Sequence, residues 1–341
     1  MIMCHPVLRL GTHHAGYEND LAYFFGDVIF GEYIGVAHAF MFAMGVGIVF
    51  SKKNRASDLV KRGVWLFVLG YILNFLRYGL FALADGIIEG EFFEETIDAF
   101  VCQDILHFAG LALIAAGVFK AMKLNEIQSL GIGVGLSIAG SFVAFSFQSS
   151  SRVINYLLGY FIVTTEDDSC FVFFNWYIFV AVGILFGSIL KKSADLDGLY
   201  KKVLTISFPI MVLYIVMTVV KGVLFLTKDG WYYAVSPLEA MGLLSIDFVM
   251  IGAFYFLLKR IDEAKVAPFI TMSRNLTKIY IIHWCIVGFV DSIFCYLLEI
   301  VFPYTIIYIF AFALIFVSYW IARWWEMKMR AISPGMTSTE F

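Results

Sequence analysis

The chain has 341 residues, 61% of them hydrophobic and only 15% charged, with a formal net charge of −3 and a mean hydropathy of +0.85. A soluble domain of this size needs far more charge on its surface, so the composition excludes an ordinary soluble enzyme and points to an integral membrane protein. The bilayer is the partner it demands, and no nucleic-acid partner is expected.

A bilayer core of about 30 Å takes about 20 apolar helical residues to cross. Met1 to Cys4 read as the last turn of an apolar helix, followed by an external loop. Apolar runs then sit at 33–51, 62–84, 99–119, 129–147, 171–190, 203–226, 238–258, 275–297 and 303–322. Strand-sized alternation is absent. The expected fold is therefore an all-α, polytopic transmembrane helical bundle of nine complete spans plus a partial first helix. Residues 85–98 form an acidic, partly helical loop. Within the long connection 149–169, Val153 to Val163 is apolar but too short to span. Trp231, Tyr232 and Tyr233 look like an aromatic belt at the membrane surface. A single transmembrane domain is expected over 1–330, and residues 331–341, with Pro334 and Gly335, form a polar cytoplasmic tail expected to be disordered.

The cations are sorted by loop. Of the 24 Lys and Arg residues, 19 fall in every second gap between runs. These are Lys52, Lys53, Arg55, Lys61, Arg62, then Lys120 and Lys123, then Lys191, Lys192, Lys201 and Lys202. Lys259, Arg260, Lys265, Arg274 and Lys278 follow, then Arg323, Lys328 and Arg330. The other gaps hold only Arg9, Arg77, Arg152, Lys221 and Lys228, and they carry the acid clusters from Asp85 to Asp98 and from Glu166 to Asp168. Because cations resist translocation, the first set is expected in the cytoplasm, with the C-terminus inside and residues 1–32 outside, in a plasma (inner) membrane. Nine crossings that end inside must begin outside, yet residues 1–32 show no signal-peptide pattern. The expectation is that most of a first helix lies upstream, lost through a downstream start codon. Ten helices would put both ends inside.

Five cysteines do not pair evenly. Cys102 and Cys170 fall near the outer face, where the redox compartment admits a disulfide between them. No zinc-type Cys/His spacing is present, so no metal is expected. Gly131, Gly133 and Gly135 lie inside an apolar span with no preceding strand, which rules out a dinucleotide motif. Like Gly45 and Gly47, they allow close helix packing.

Ionisable groups inside a span are expensive and are functional candidates by default. His5 ends the partial helix, His13 and His14 stand in the loop after it, and His38 lies early in the next span. Neutral imidazole accepts a proton near pH 7, so these four are the candidates for a general base. Each could equally serve as a hydrogen-bonded structural residue. Asp104 and His107, three apart, read as a structural polar pair. Asp247 and Asp291 lie within spans and need partners, while His283 stands alone in the 275–297 run. The basic stretch from Lys52 to Arg62 suits an anionic ligand such as a nucleotide phosphate, although topology alone would also produce it.

Several segments resemble one family in matching order. HAFMFAMGVGIVFS at 38–51, the basic loop after it and KRGVWLFVLGYILNF at 61–75 are similar to two consecutive helices of membrane acyltransferases. QDILHFAGLALI at 103–114, FNWYIFVAVGILFGSIL at 174–190 and SRNLTKIYIIHW at 273–284 resemble later ones. The family comprises the heparan-alpha-glucosaminide N-acetyltransferase-like proteins and the related acyltransferase type 3 proteins. His5 matches the histidine of the type 3 branch, and His13 or His14 matches that of the N-acetyltransferase branch. The resemblance implies an acyl-CoA donor, acetyl-CoA in the first instance, held on the cytoplasmic side by Arg55, Lys61 and Arg62, with Arg274 and Asn275 at a later turn. It implies a glycan or lipid-linked acceptor entering from outside, a histidine as base with Asp27 or Glu32 to fix its tautomer, and a homodimer as one admissible assembly. A proton-coupled transporter and a non-catalytic assembly partner are the alternatives.

Overall fold

The computed structural model describes residues 2–17, 20–26, 29, 31, 37–89, 94–164, 170–223, 226 and 231–332. Among the described residues all regular structure is helical. The helices are α1 (Cys4–Leu10), α2 (Leu21–Phe24), α3 (Ala37–Phe50), α4 (Ala56–Asn74), α5 (Leu80–Glu89), α6 (Glu94–Val101), α7 (Ile105–Ala121) and α8 (Glu126–Val143). They continue with α9 (Arg152–Gly159), α10 (Phe173–Lys192), α11 (Leu196–Lys221), α12 (Pro237–Leu258), α13 (Glu263–Arg274), α14 (Leu276–Val290) and α15 (Tyr304–Ile332). Wide π-type turns follow α4 and α14, at Phe75–Gly79 and Asp291–Leu297.

Seven helices are long and apolar enough to cross a bilayer: Ala56–Leu83, Glu126–Val143, Phe173–Lys192, Leu196–Lys221, Pro237–Leu258, Leu276–Leu297 and Tyr304–Lys328. The chain is a multi-pass membrane protein. The remaining two of the nine expected spans correspond to shorter apolar helices, α3 and α7. A helix start inside the run explains α7. The Asp104 carboxylate accepts from the Leu106 N–H at 2.9 Å, and the Asp104 N–H donates to His107 Nδ1 at 3.1 Å. This capping box ends the 99–119 run as a single helix, because its carboxylate favours a new N-terminus over helix continuation. Residues 32–36, just before α3, and 333–341, most of the expected tail, lie outside the described residues. None of the five cysteines is in a disulfide, so Cys102 and Cys170 are not bridged. Of the aromatic trio, Tyr232 is buried against Trp176, whose indole N–H donates to the Tyr233 carbonyl at 3.0 Å, while Trp231 and Tyr233 are half-buried.

The chain forms two compact units. One comprises Ile34–Ile72 and Phe100–Phe254. Its central helix is α10, packed on α3 and α8, with Trp176, Tyr177 and Phe179 fully enclosed. Gly45 and Gly183 let α3 and α10 touch backbone to backbone: a Cβ on Gly45 would strike the Val180 carbonyl, and one on Gly183 the Phe42 carbonyl. Of the other glycines expected to serve packing, Gly133 faces Ala181, whereas Gly47, Gly131 and Gly135 face open space.

The other unit comprises Met1–Tyr33, Leu73–Ala99 and Tyr255–Phe341. Here α1 buries Val7 and Leu10 with Cys295 and Ile307, and Tyr304 and Tyr308 close the cluster. Gly288 brings α14 against the π-turn that carries Arg77, where an added Cβ would lie 2.5 Å from the Arg77 carbonyl oxygen. That contact and the apolar face of α1 set the spacing of the polar seam described next.

Candidate active site

The helix α1 presents His5 and Arg9 one turn apart, and His13 follows just beyond it. Their partners are His283, on α14, and Asp291, at the first residue of the π-turn after it. The two segments run in the same sense, since partners advance from His283 to Asp291 as α1 advances from His5 to Arg9. The π-turns at Phe75–Gly79 and Asp291–Leu297 each carry a charge of the seam, Arg77 on one and Asp291 on the other. Such turns re-aim side chains that a regular helix would place elsewhere.

At one end His5 Nδ1 lies 2.6 Å from His283 Nε2, with the ring planes near parallel and their centres 4.9 Å apart. His5 also stacks on the Trp284 indole at 4.2 Å. The Arg77 guanidinium lies 4.7 Å from the Trp284 ring centre and 4.6 Å from that of Tyr78, and its Nη2 donates to Asn74 Oδ1 at 2.8 Å. His283 is itself anchored, because its Nδ1 lies 2.8 Å from the Ile279 carbonyl oxygen.

At the other end Arg9 donates to Asp291 Oδ2 through Nη2 at 2.8 Å and Nε at 3.2 Å. His13 Nε2 meets Asp291 Oδ1 at 2.8 Å, and a carboxylate only accepts, so the ring donates there. Asp291 is almost wholly buried. A carboxylate in that position is tenable because both oxygens are hydrogen-bonded and one faces a cation. His14 takes a structural part, with Nε2 donating to the Phe302 carbonyl at 2.7 Å and its ring stacked on Tyr304.

His38 belongs to the other unit. It is fully buried, with Nδ1 3.0 Å from each oxygen of Asp247. Nearby in the same unit, buried Glu239 accepts from the Tyr214 hydroxyl and from the Leu226 N–H. Arg55, Lys61 and Arg62 stand exposed at the start of α4 in that unit. Arg274 is exposed at the end of α13, in the unit of the seam. Asn275 is buried between α13 and α14. Its Nδ2 donates to Glu326 Oε2 at 2.9 Å and to the Thr271 carbonyl at 3.1 Å, and its Oδ1 accepts from Lys278 at 3.2 Å. That amide is committed to the protein's own groups.

Asp27 and Glu32, expected to orient a histidine, lie outside the described residues. The carboxylate that meets His13 is Asp291 instead. Sequence reasoning placed Asp291 and His283 in one span but named no partner for either, and it gave Arg9, Arg77 and Trp284 no role. The available signal was the spacing: His283 and Asp291 lie about two helical turns apart, as His5 and Arg9 lie one turn apart. His13, Asp291 and Cys295 bring one potential metal-ligand atom each within 4.8 Å of one another. The Arg9 guanidinium already balances that carboxylate, so the trio reads as an ion-pair cluster.

The family described as heparan-alpha-glucosaminide N-acetyltransferase, catalytic, matches residues 1–212. No curated protein matches the chain, and no solved structure does.

Proposed function

Because the chain belongs to the heparan-alpha-glucosaminide N-acetyltransferase catalytic family, we propose that it moves an acetyl group from cytoplasmic acyl-CoA to a hydroxyl or amine of an extracytoplasmic carbohydrate or lipid-linked glycan. The sorting of Lys and Arg among the loops supports this two-sided arrangement, with the exposed cations Arg55, Lys61 and Arg62 as the cytoplasmic contacts of the donor's phosphates.

In this reading His5 is the general base. One observation carries it: His5 Nδ1 is engaged by His283, which leaves Nε2 as the nitrogen that can accept a proton, in a polar seam of a multi-pass protein. The acceptor N–H or O–H attacks the thioester carbonyl. The new N–C or O–C bond forms, the C–S bond breaks, and the acceptor proton passes to His5 Nε2 and on to the departing thiolate, giving CoA–SH. Trp284, stacked on His5, carries a buried Nε1–H with no acceptor among the described residues. It is the candidate donor to the carbonyl oxygen as negative charge develops there.

A second reading makes His13 the base. The Asp291 carboxylate favours it, because a carboxylate that accepts the Nε2–H fixes the tautomer and leaves Nδ1 of the neutral ring as the acceptor.

Purified protein given radiolabelled acetyl-CoA and glucosamine, a probe offering both acceptor groups, tests the proposal. Label transfer with CoA–SH release is expected, lost in His5→Gln. Undiminished transfer in both His5→Gln and His13→Gln would refute the imidazole mechanism.

A further inference from the structure

We infer that His283 is a positioning residue that sets which nitrogen of His5 is basic. The inference deepens the reading of His5 given above and rests on it for its effect on rate, but its structural part can be measured alone.

The hydrogen-bond chain has a fixed direction. The Ile279 carbonyl can only accept, so His283 Nδ1, 2.8 Å away, carries the hydrogen. Neutral His283 then has a bare lone pair on Nε2. His5 Nδ1, 2.6 Å from that lone pair, must be the donor. His5 has only one ring hydrogen when neutral, so its Nε2 is left as an acceptor. Reversing the chain requires a second proton on the pair. The surroundings oppose that: the Arg77 cation lies over Trp284 and Tyr78, and the charge would sit among stacked rings. Tyr280 and Trp284 border the rings on α14 and offer no negative charge to balance it.

The anchoring is backbone-encoded. Ile279 and His283 are four apart on one helix, so the helix holds the accepting carbonyl and the ring in register. The in-plane hydrogen bond to His283 and the stacking of His5 on Trp284 restrain ring rotation as well. In water a neutral histidine side chain favours hydrogen on Nε2. The chain from Ile279 therefore imposes the less favoured tautomer, with the lone pair at the nitrogen that the proposed reaction uses.

The test is nitrogen-15 magnetic resonance of the full-length protein labelled at histidine, combined with kinetics of two variants. In the parent protein His5 is expected to show a hydrogen-bearing Nδ1 and a bare, pyridine-type Nε2. In His283→Leu, which removes the acceptor, the hydrogen moves to Nε2 and kcat falls by about 100-fold or more with little change in KM for acetyl-CoA. In His283→Gln the amide oxygen replaces Nε2 as acceptor, the His5 signature returns, and most of kcat with it. A hydrogen-bearing Nε2 on His5 in the parent protein overturns the inference even if neither variant folds. So does equal loss in the Leu and Gln variants, since His283 would then act only by filling space. If the parent signature is as expected while His5→Gln transfers normally, the tautomer assignment stands and the reading of His5 as base fails.

Discussion

Arg9 and Asp291, 282 positions apart in the chain, meet at 2.8 Å and hold each other's charge inside the unit that contains α1 and α14. The Asp291→Asn variant leaves Arg9 without its counter-charge and removes the carboxylate that His13 faces. Breaking such a pair costs about 3–5 kcal/mol when both partners are buried. A third of the Arg9 side chain is exposed, so about 3 kcal/mol is the expected loss here. Thermal unfolding in detergent measures it. Replacing both residues by leucine should recover part of the loss, because no uncompensated charge remains.

His38 and Asp247 form the corresponding pair of the other unit, with both side chains almost fully buried. A double-mutant cycle with His38→Ala and Asp247→Ala is expected to give a coupling of about 0.5–3 kcal/mol in stability. Single variants that lose transferase activity without losing stability would instead assign this pair a part in turnover.

Glycine contacts provide a steric control. Ala at Gly45 or Gly183 drives a methyl into a facing backbone carbonyl, which cannot rotate away. Each should cost about 1–3 kcal/mol or separate α3 from α10. Ala at Gly47, which faces open space, should be neutral or slightly stabilising, because glycine is the poorer helix former. Gly288→Ala should behave like Gly45→Ala and should also disturb Arg77, so it lowers activity as well as melting temperature.

The donor-binding expectation separates into two measurable parts. Replacing Arg55, Lys61 and Arg62 together by Ala is expected to raise KM for acetyl-CoA about tenfold or more at low salt with little change in kcat, an effect that shrinks as ionic strength rises. Asn275→Ala should instead destabilise the protein by about 1–3 kcal/mol, because Glu326 and Lys278 lose a buried partner. A change in donor KM at unchanged stability would return Asn275 to the binding site.

Much of the architecture was legible because lipid enforces it. Twenty-residue apolar runs and the loop bias of Lys and Arg are consequences of bilayer thickness and translocation, and they survive without any tertiary information. The two shorter helices show the limit. Hydropathy cannot register that Asp104 starts a helix, because a single capping carboxylate barely changes the average over the 99–119 run. The site was half legible. Residue type and depth pointed to His5, His13, His14 and His38 alike, and a lone sequence does not say which distant span supplies His283 or Asp291. The aromatic trio shows the same limit: all three residues suit an interface by chemistry, and only the position of Trp176 makes Tyr232 a packing residue.

The arrangement of the seam has a consequence for biogenesis. Translation delivers α1 well before the Asp291 turn, so 282 further residues are added before the Arg9 cation can meet its counter-ion. Throughout that interval the newborn segment must be sheltered by the insertion machinery, or must wait at the lipid headgroups, and the seam cannot assemble until the Asp291 turn has been made. A polypeptide released before that turn carries His5 and His13 without His283 and Asp291, the groups that meet them.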